Sequence, residues 1–302
     1  MAAAARIRLE RFVMLDCLSK IDAFALTDVG KVRKNNEDAL LLLPRTQCYV
    51  VSDGMGGGKA GEVASAMMVR EIENVFAASS AIPAEREGLV IRSAYKVNEL
   101  IRDYADDHEY ASMGATFVCL LMDPWHPSMA TVFHAGDSRV YRIREGEIEQ
   151  LTEDHTVAAA SKVDENKLAP MFRGVLTNAL GTGSEFFLER NSVDVQEEDT
   201  YIICSDGLSR MVTDQNILYI CNTLRRESAE TVCRELINAA LADGGRDNVS
   251  VIVAKIVKSG REYQPSDEEA KLEAEAQVRN LMDLSDTPPT EVISAAELFK
   301  KP

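Results

Sequence analysis

Gln47–Ser65 reads QCYVVSDGMGGGKAGEVAS, and the rest of the chain is organised around it. The apolar run Cys48 to Val51 leads into a carboxylate, Asp53, and then breaks into Gly54, Gly56, Gly57 and Gly58 before a helical pattern starts. A short apolar run with Tyr and two Val reads as a buried strand, and the glycines supply turn conformations that a Cβ disfavours. Asp53 therefore stands at a strand end with bare backbone beside it. That suits a hard divalent ion, which takes oxygen from a carboxylate or a peptide carbonyl alike. It also suits an ordinary strand-turn-helix corner with a capping Asp.

Repetition of the same grammar decides between these readings. Asp38 closes VRKNNED just before the apolar run Ala39 to Leu43, Asp137 follows ATVFHAG, Asp206 lies just after TYIIC, and Asp247 precedes NVSVIVAKIV. One Asp beside a strand-like run is a turn; several, each with Gly or Asn as a neighbour, point to a shared site.

A chain of 302 residues with 46% hydrophobic content has material for one large domain with appendages. Its net charge of -16 argues against nucleic acid and anionic membrane surfaces as partners. An anionic substrate would need the local field reversed by bound cations or a placed Arg. The 6 cysteines form no CxxC pair and fall mostly inside apolar runs, as reduced thiols of a cytoplasmic protein do. No apolar run approaches the roughly 18 residues of a membrane span.

In chain order, Arg6 to Leu18 is expected to be an extra strand or docked segment, and Asp22 to Thr27 a strand. The loop DVGKVRKNNED then gathers Arg33, Glu37 and Asp38, and an Arg fork is the side chain best matched to a phosphate. Ala64, Met68, Ile72, Val75 and Phe76 fall at helical spacing, and a second helix runs from about Glu85 to Tyr104. The period then changes to strands at Gly114–Met122, Met129–Ala135, Arg139–Ile143 and Glu147–Leu151, the last two joined as a hairpin at Glu145-Gly146. Lys162 to Arg173 reads as a mobile surface segment, and Leu176 to Gly183 as a helical turn into a glycine loop. Helical spacing returns over Val232, Cys233, Leu236, Ile237 and Ala240. Strands joined by short turns imply antiparallel sheet, and helices arriving in pairs imply cover for its outer faces.

TDVGKVRKNNEDAL, VSDGMGGGKAGEVAS, SMGATFV, AGDSRVY, LTEDHT, TNALG, CSDGL and DGGRDNVSVIV resemble, in order and spacing, the motif series of the PPM family. These are the type-2C metal-dependent serine/threonine protein phosphatases, and the bacterial branch is the most similar. The resemblance spans about Asp22 to Val257. It implies an α+β fold, a four-layer αββα sandwich of two antiparallel β-sheets flanked by helices. The organisation expected is an N-terminal extension over 1–20, the phosphatase domain over 21–258 and an acidic tail over 259–302.

Carried over residue by residue, the resemblance makes Asp53, Asp206 and Asp247 the carboxylates that hold two ions, with Asp53 bridging them. Gly54 offers a backbone carbonyl, Glu37 and Asp38 add carboxylate, and Arg33 binds the phosphate. Asp137 with Asp206 matches a third-ion site, so two or three Mn²⁺ or Mg²⁺ ions are implied. Two such ions can activate one water for attack on phosphorus. The partners implied are phosphorylated proteins and a cognate Ser/Thr kinase. A catalytically silent phosphoprotein-binding regulator of the same fold is the alternative, although every metal position keeps its Asp.

One departure matters. Relatives from eukaryotes carry His after the DG of the first motif, as the proposed leaving-group acid, where this chain has Met55. Metal-bound water is then the first candidate for that proton and His155 the second. In the tail, Ser266 to Asn280 reads as a capped helix, and Thr287, Thr290 and Ala295 to Phe299 as candidate modification or docking positions.

Overall fold

Alternation along the strands sets the layers. A computed structural model describes residues 21–57, 59–78, 83–123, 127–183 and 185–257. The strands are β1 (Ile21–Asp28), β2 (Asp38–Leu43), β3 (Cys48–Met55), β4 (Gly114–Ala115), β5 (Phe117–Met122), β6 (Met129–Ala135), β7 (Arg139–Arg144), β8 (Glu147–Gln150), β9 (Glu189–Asp194), β10 (Thr200–Cys204) and β11 (Val249–Ile256). The helices are α1 (Lys59–Ala78), α2 (Pro83–Asp107), α3 (Val157–Ser161), α4 (Asp206–Ser209), α5 (Asp214–Thr223) and α6 (Ala229–Ala242). One sheet runs β1-β11-β10-β7-β8 and the other β2-β3-β5-β6-β9, with β4 paired to β3. The strand pairs are antiparallel.

On β3, Tyr49 and Val51 point into the core between the sheets, while Cys48 and Val50 point outward against α1 and α2. On β10, Tyr201 and Ile203 enter the same central core, while Ile202 and Cys204 meet α5 and α6. Successive strand side chains face opposite ways, so a strand covered on both faces reads as a continuous apolar run rather than an alternating one. Ala64, Met68, Ile72 and Phe76 form the buried stripe of α1, and Val90, Ala94, Val97 and Ile101 that of α2. Thr213 and Ser228 cap α5 and α6 by accepting from Asn216 N and Thr231 N. This is the expected four-layer sandwich.

Register brings the acidic residues to one rim. Asp38 at the start of β2 lies directly across from Asp53 near the end of β3. Cys204 at the end of β10 pairs with both Arg139 and Val251, so Asp137, Asp206 and Asp247, each two to four residues away, stand at the same end of their sheet. Antiparallel order thus gathers residues from chain positions 38 to 247.

Three expectations change. Gly114–Met122 is two strands, because side chains replace backbone partners at Thr116: Asp53 N donates to Thr116 Oγ1 at 2.9 Å and Ser52 Oγ donates to Thr116 O at 2.7 Å. Leu176–Gly183 is not a helical turn; Leu176 and Leu180 make isolated bridges to Thr156 and Ala115. Strand β9 has no counterpart among the sequence expectations: ERNSVD is largely exposed on the sheet edge and lacks apolar alternation. The segment 162–173 contains two short 3-10 turns, Glu165–Lys167 and Pro170–Phe172. The expectations for Arg6–Leu18 and for the tail from Arg261 onward lie outside the described residues.

Candidate metal and phosphate site

A cleft of about 480 Å³ at this rim is lined by Arg33, Glu37, Asp53, Gly54, Asp137, Asp206, Arg210, Asp247 and Asn248, among others. All the metal and phosphate candidates except Asp38 line it directly. Asp38 is half-buried across from Asp53, and Ser205 Oγ donates to its Oδ2 at 2.8 Å.

Glycines let the segments close on one another. A Cβ on Gly54 would lie 2.1 Å from Gly61 O, and one on Gly61 would lie 2.1 Å from Glu37 Oε2. The first turn of α1 is therefore seated against both β3 and the Glu37 carboxylate. A Cβ on Gly207 would lie 1.8 Å from Asn248 O, and one on Gly30 2.2 Å from Asp247 O. Real Cβ contacts do not come this close, so residues 30 and 207 hold the 247–248 backbone between them.

Asn248 is the clamp of the loop over 29–37. Its Oδ1 accepts from Glu37 N at 2.8 Å, while its Nδ2 donates to Val29 O at 3.0 Å and Asn35 O at 2.9 Å. Lys31 N adds a bond to Gly245 O at 2.7 Å. Asn248→Ala leaves these part-buried backbone groups without their side-chain partner, and an unsatisfied buried group costs about 1–3 kcal/mol. A stability loss of about 3 kcal/mol is expected in urea unfolding, together with loosening of Glu37. Sequence reading treated Asn248 only as part of a motif; its three bonds to one distant loop are visible only in three dimensions.

The carboxylates disturb one another strongly. Burial pushes the Asp53 carboxyl well above the carboxylate range, and Asp38, Asp206, Asp137 and Asp247 push it further. Burial likewise raises Asp38 to about 6 and Asp137 to about 7, with Asp206 adding to both. Asp206 is also raised by burial, although Arg210 and a hydrogen bond with Asp53 oppose the shift.

Asp38 Oδ1 and Asp206 Oδ1 are buried without a hydrogen-bond partner. Orphaned carboxylate oxygens crowded by like charge fit bound divalent cations. Arg33 brings a guanidinium to the same cleft, its Nη2 donating to Asp247 Oδ2 at 2.7 Å while half its side chain stays exposed.

Among the described residues, the three-residue group with ligand atoms all within 4.8 Å of one another is His134, His155 and Glu189, not a set from the cleft. The cleft carboxylates are therefore spaced more widely than one ion's clasp. The histidine group is not a better metal site. His155 Nδ1 accepts from Gly136 N at 3.2 Å and from Asn178 Nδ2 at 2.9 Å, and the Asn178 amide is oriented by its bonds to Phe187 O and Phe187 N. The ring's proton is thereby fixed on Nε2, which faces Glu189 Oε1 at 3.3 Å and has no lone pair to offer an ion. His155 is also absent from the cleft lining, which leaves it out of reach as the leaving-group acid.

Comparison with known proteins places the chain in a family. The Protein phosphatase 2C family profile matches residues 31–244. A serine/threonine phosphatase stp of Listeria innocua is 30% identical over 249 residues, covering 78% of this chain and 97% of its own. The serine/threonine protein phosphatase PstP of Mycobacterium tuberculosis is 33% identical over 256 residues, 77% of this chain and 44% of that longer protein. Among solved structures, PppA of Pseudomonas aeruginosa superposes with a TM-score of 0.70 at 32% identity, covering 78% of this chain and 97% of its own. The catalytic domain of PstP in complex with 2 manganese ions gives 0.65 at 30% identity, covering 79% and 99%. The chain belongs to the protein phosphatase 2C family, hydrolases that use divalent metal to release phosphate from serine and threonine in proteins.

Proposed function

We propose that two divalent ions are held by Asp53, Asp206 and Asp247, with Glu37, Asp38 and the Gly54 carbonyl around them, and that Arg33 receives the phosphate. The observation that carries this reading is the meeting in a single cleft of carboxylates from five separate segments, with Asp206 keeping an orphaned oxygen, beside the Arg33 guanidinium. The PstP complex with 2 manganese ions supports manganese as the metal to test first.

Ions bound there supply Lewis-acid charge and an activated water for attack on phosphorus. The chain's own residues do the rest. Arg33 offers a planar fork to two phosphate oxygens and turns the substrate's phosphorus toward the carboxylate wall. The bond from phosphorus to the serine or threonine oxygen breaks as the new bond to water oxygen forms. Met55 stands where eukaryotic relatives carry His, and no histidine among the described residues lines the cleft. The leaving oxygen therefore takes its proton from water rather than from an imidazole.

The substrates are phosphoproteins, and the reaction that supplies them is that of a Ser/Thr kinase. The five described free cysteines are all buried, which supports a reducing, cytoplasmic setting. No helix among the described residues is long and apolar enough to cross a membrane. We take 21–258 as the catalytic unit.

Hydrolysis of an aryl phosphate and of a phosphothreonine peptide by the full chain tests the reading. Activity is expected only with Mn²⁺, and Asp247→Ala is expected to lower it about a hundredfold or more. Turnover that ignores both chelator and substitution sinks the mechanism, and a folded, Mn²⁺-binding protein with no turnover favours the silent regulator.

A further inference from the structure

Asp137 and Asp206 do meet, but a cation from the chain already stands between them. Arg210 Nε lies 3.0 Å from Asp206 Oδ2, and Arg210 Nη2 donates to Asp137 Oδ2 at 3.0 Å. Both carboxylates are buried, whereas the Arg210 side chain is 41% exposed and lines both this cleft and a neighbouring cavity of about 370 Å³.

We infer that Arg210 is the resident cation of the Asp137–Asp206 corner and keeps a third divalent ion out of it. This rests on the two-ion reading and sets its limit.

The side chain is built for that place. Arg210 follows Asp206 by one helical turn, and its backbone N–H donates to Asp206 O at 2.8 Å, which fixes the root of the side chain beside its partner. A guanidinium can give separate N–H groups to two carboxylates at once, a span that a lysine ammonium does not match. Asp206 is divided by the arrangement: Oδ2 faces Arg210, while Oδ1 has no hydrogen-bond partner and stays available to the ions of the main cleft. Asp137 likewise meets the guanidinium through its Oδ2. A divalent ion at this corner needs those same oxygens at about 2.0–2.6 Å, so ion and guanidinium compete for one position.

The overlying segment makes Arg210 hard to displace. Gly174, at φ +66°, passes so close that a Cβ there would lie 3.2 Å from Arg210 Nη2. Gly174 N donates to Glu165 Oε1 at 2.6 Å, and Glu165 adds a third carboxylate to the field around the guanidinium. Its charge does not depend on the metal concentration of the surroundings.

Counting bound Mn²⁺ by equilibrium dialysis on the full chain tests the inference without reference to turnover. The parent is expected to bind about two ions, Asp137→Asn the same number, and Arg210→Ala a third and weaker one that Asp137→Asn abolishes in the double variant. A parent that binds three, with Asp137→Asn falling to two, overturns the inference and leaves the two-ion core intact. So does Arg210→Ala that folds and still binds two. A parent that binds no Mn²⁺ overturns the underlying reading and the inference with it. Should Arg210→Ala fail to fold, the Asp137→Asn count alone decides: any ion lost with that carboxylate counts against Arg210 as its partner.

Discussion

Asp53→Asn is expected to abolish Mn²⁺-dependent hydrolysis, by about a thousandfold or more, while making the chelated protein more stable than its parent. The two effects have one cause. Asp53 is half-buried at the cleft wall, and desolvation together with four neighbouring Asp side chains opposes its negative charge. Without ions that charge is a burden on the fold, and the neutral amide relieves it while filling the same volume and keeping a polar group beside Asp206. With ions, the carboxylate proposed to bridge them is gone. Activity assays with Mn²⁺ and urea unfolding in chelator read the two effects separately. A variant that loses activity and stability together would make Asp53 a structural residue rather than a metal-bridging one.

The second large effect is on stability against pH. In chelator, the folded protein is expected to weaken as pH rises from about 6.5 to 8, by about 1–2 kcal/mol per unit, and Mn²⁺ is expected to flatten that slope. The sign follows from the raised carboxyls. A group whose folded pKa exceeds its unfolded value holds its proton more tightly in the native state. Its stabilisation is complete below the unfolded pKa and is lost as pH rises through the folded one. Asp38 at about 6 is largely through that transition, Asp137 at about 7 is passing through it, and Asp53 lies higher than its ordinary value by a wide margin. His134 acts in the opposite sense below about 6.5, because burial lowers its pKa and favours the fold only when the ring is neutral. The window is therefore set above the histidine's range. Bound Mn²⁺ replaces protons as the partner of the carboxylates and adds stability of about 2.7 kcal/mol at a hundred times its dissociation constant. A chelated protein that gains stability over this window would show that the cleft does not crowd its charges.

Most of the sandwich is legible in the amino-acid order because its strands are apolar runs bounded by Gly, Asn and Asp. Asp53, Asp206 and Asp247 are legible for the same reason: each sits where a buried run meets a turn. What escapes is structure made by partners distant in sequence. β9 owes its form to pairing with β6, not to its own polar residues. Leu180 is held by Ala115 across the sheet edge and by nothing in its local pattern. Arg210 has no part in the sequence expectations, and only the arrival of Asp137 from the end of β6 gives it a purpose. Asn248 is similar, since its side chain serves a loop more than two hundred residues earlier.

Antiparallel pairing that sends the acidic strand ends to one rim sends the Glu145-Gly146 hairpin and the Ile21 and Ile256 strand ends to the other. Attachment to a bead or sensor surface through a tag inserted at that hairpin would therefore leave the reactive mouth facing the bulk liquid. An immobilised sample should keep the turnover of the free one, even toward bulky macromolecular substrates.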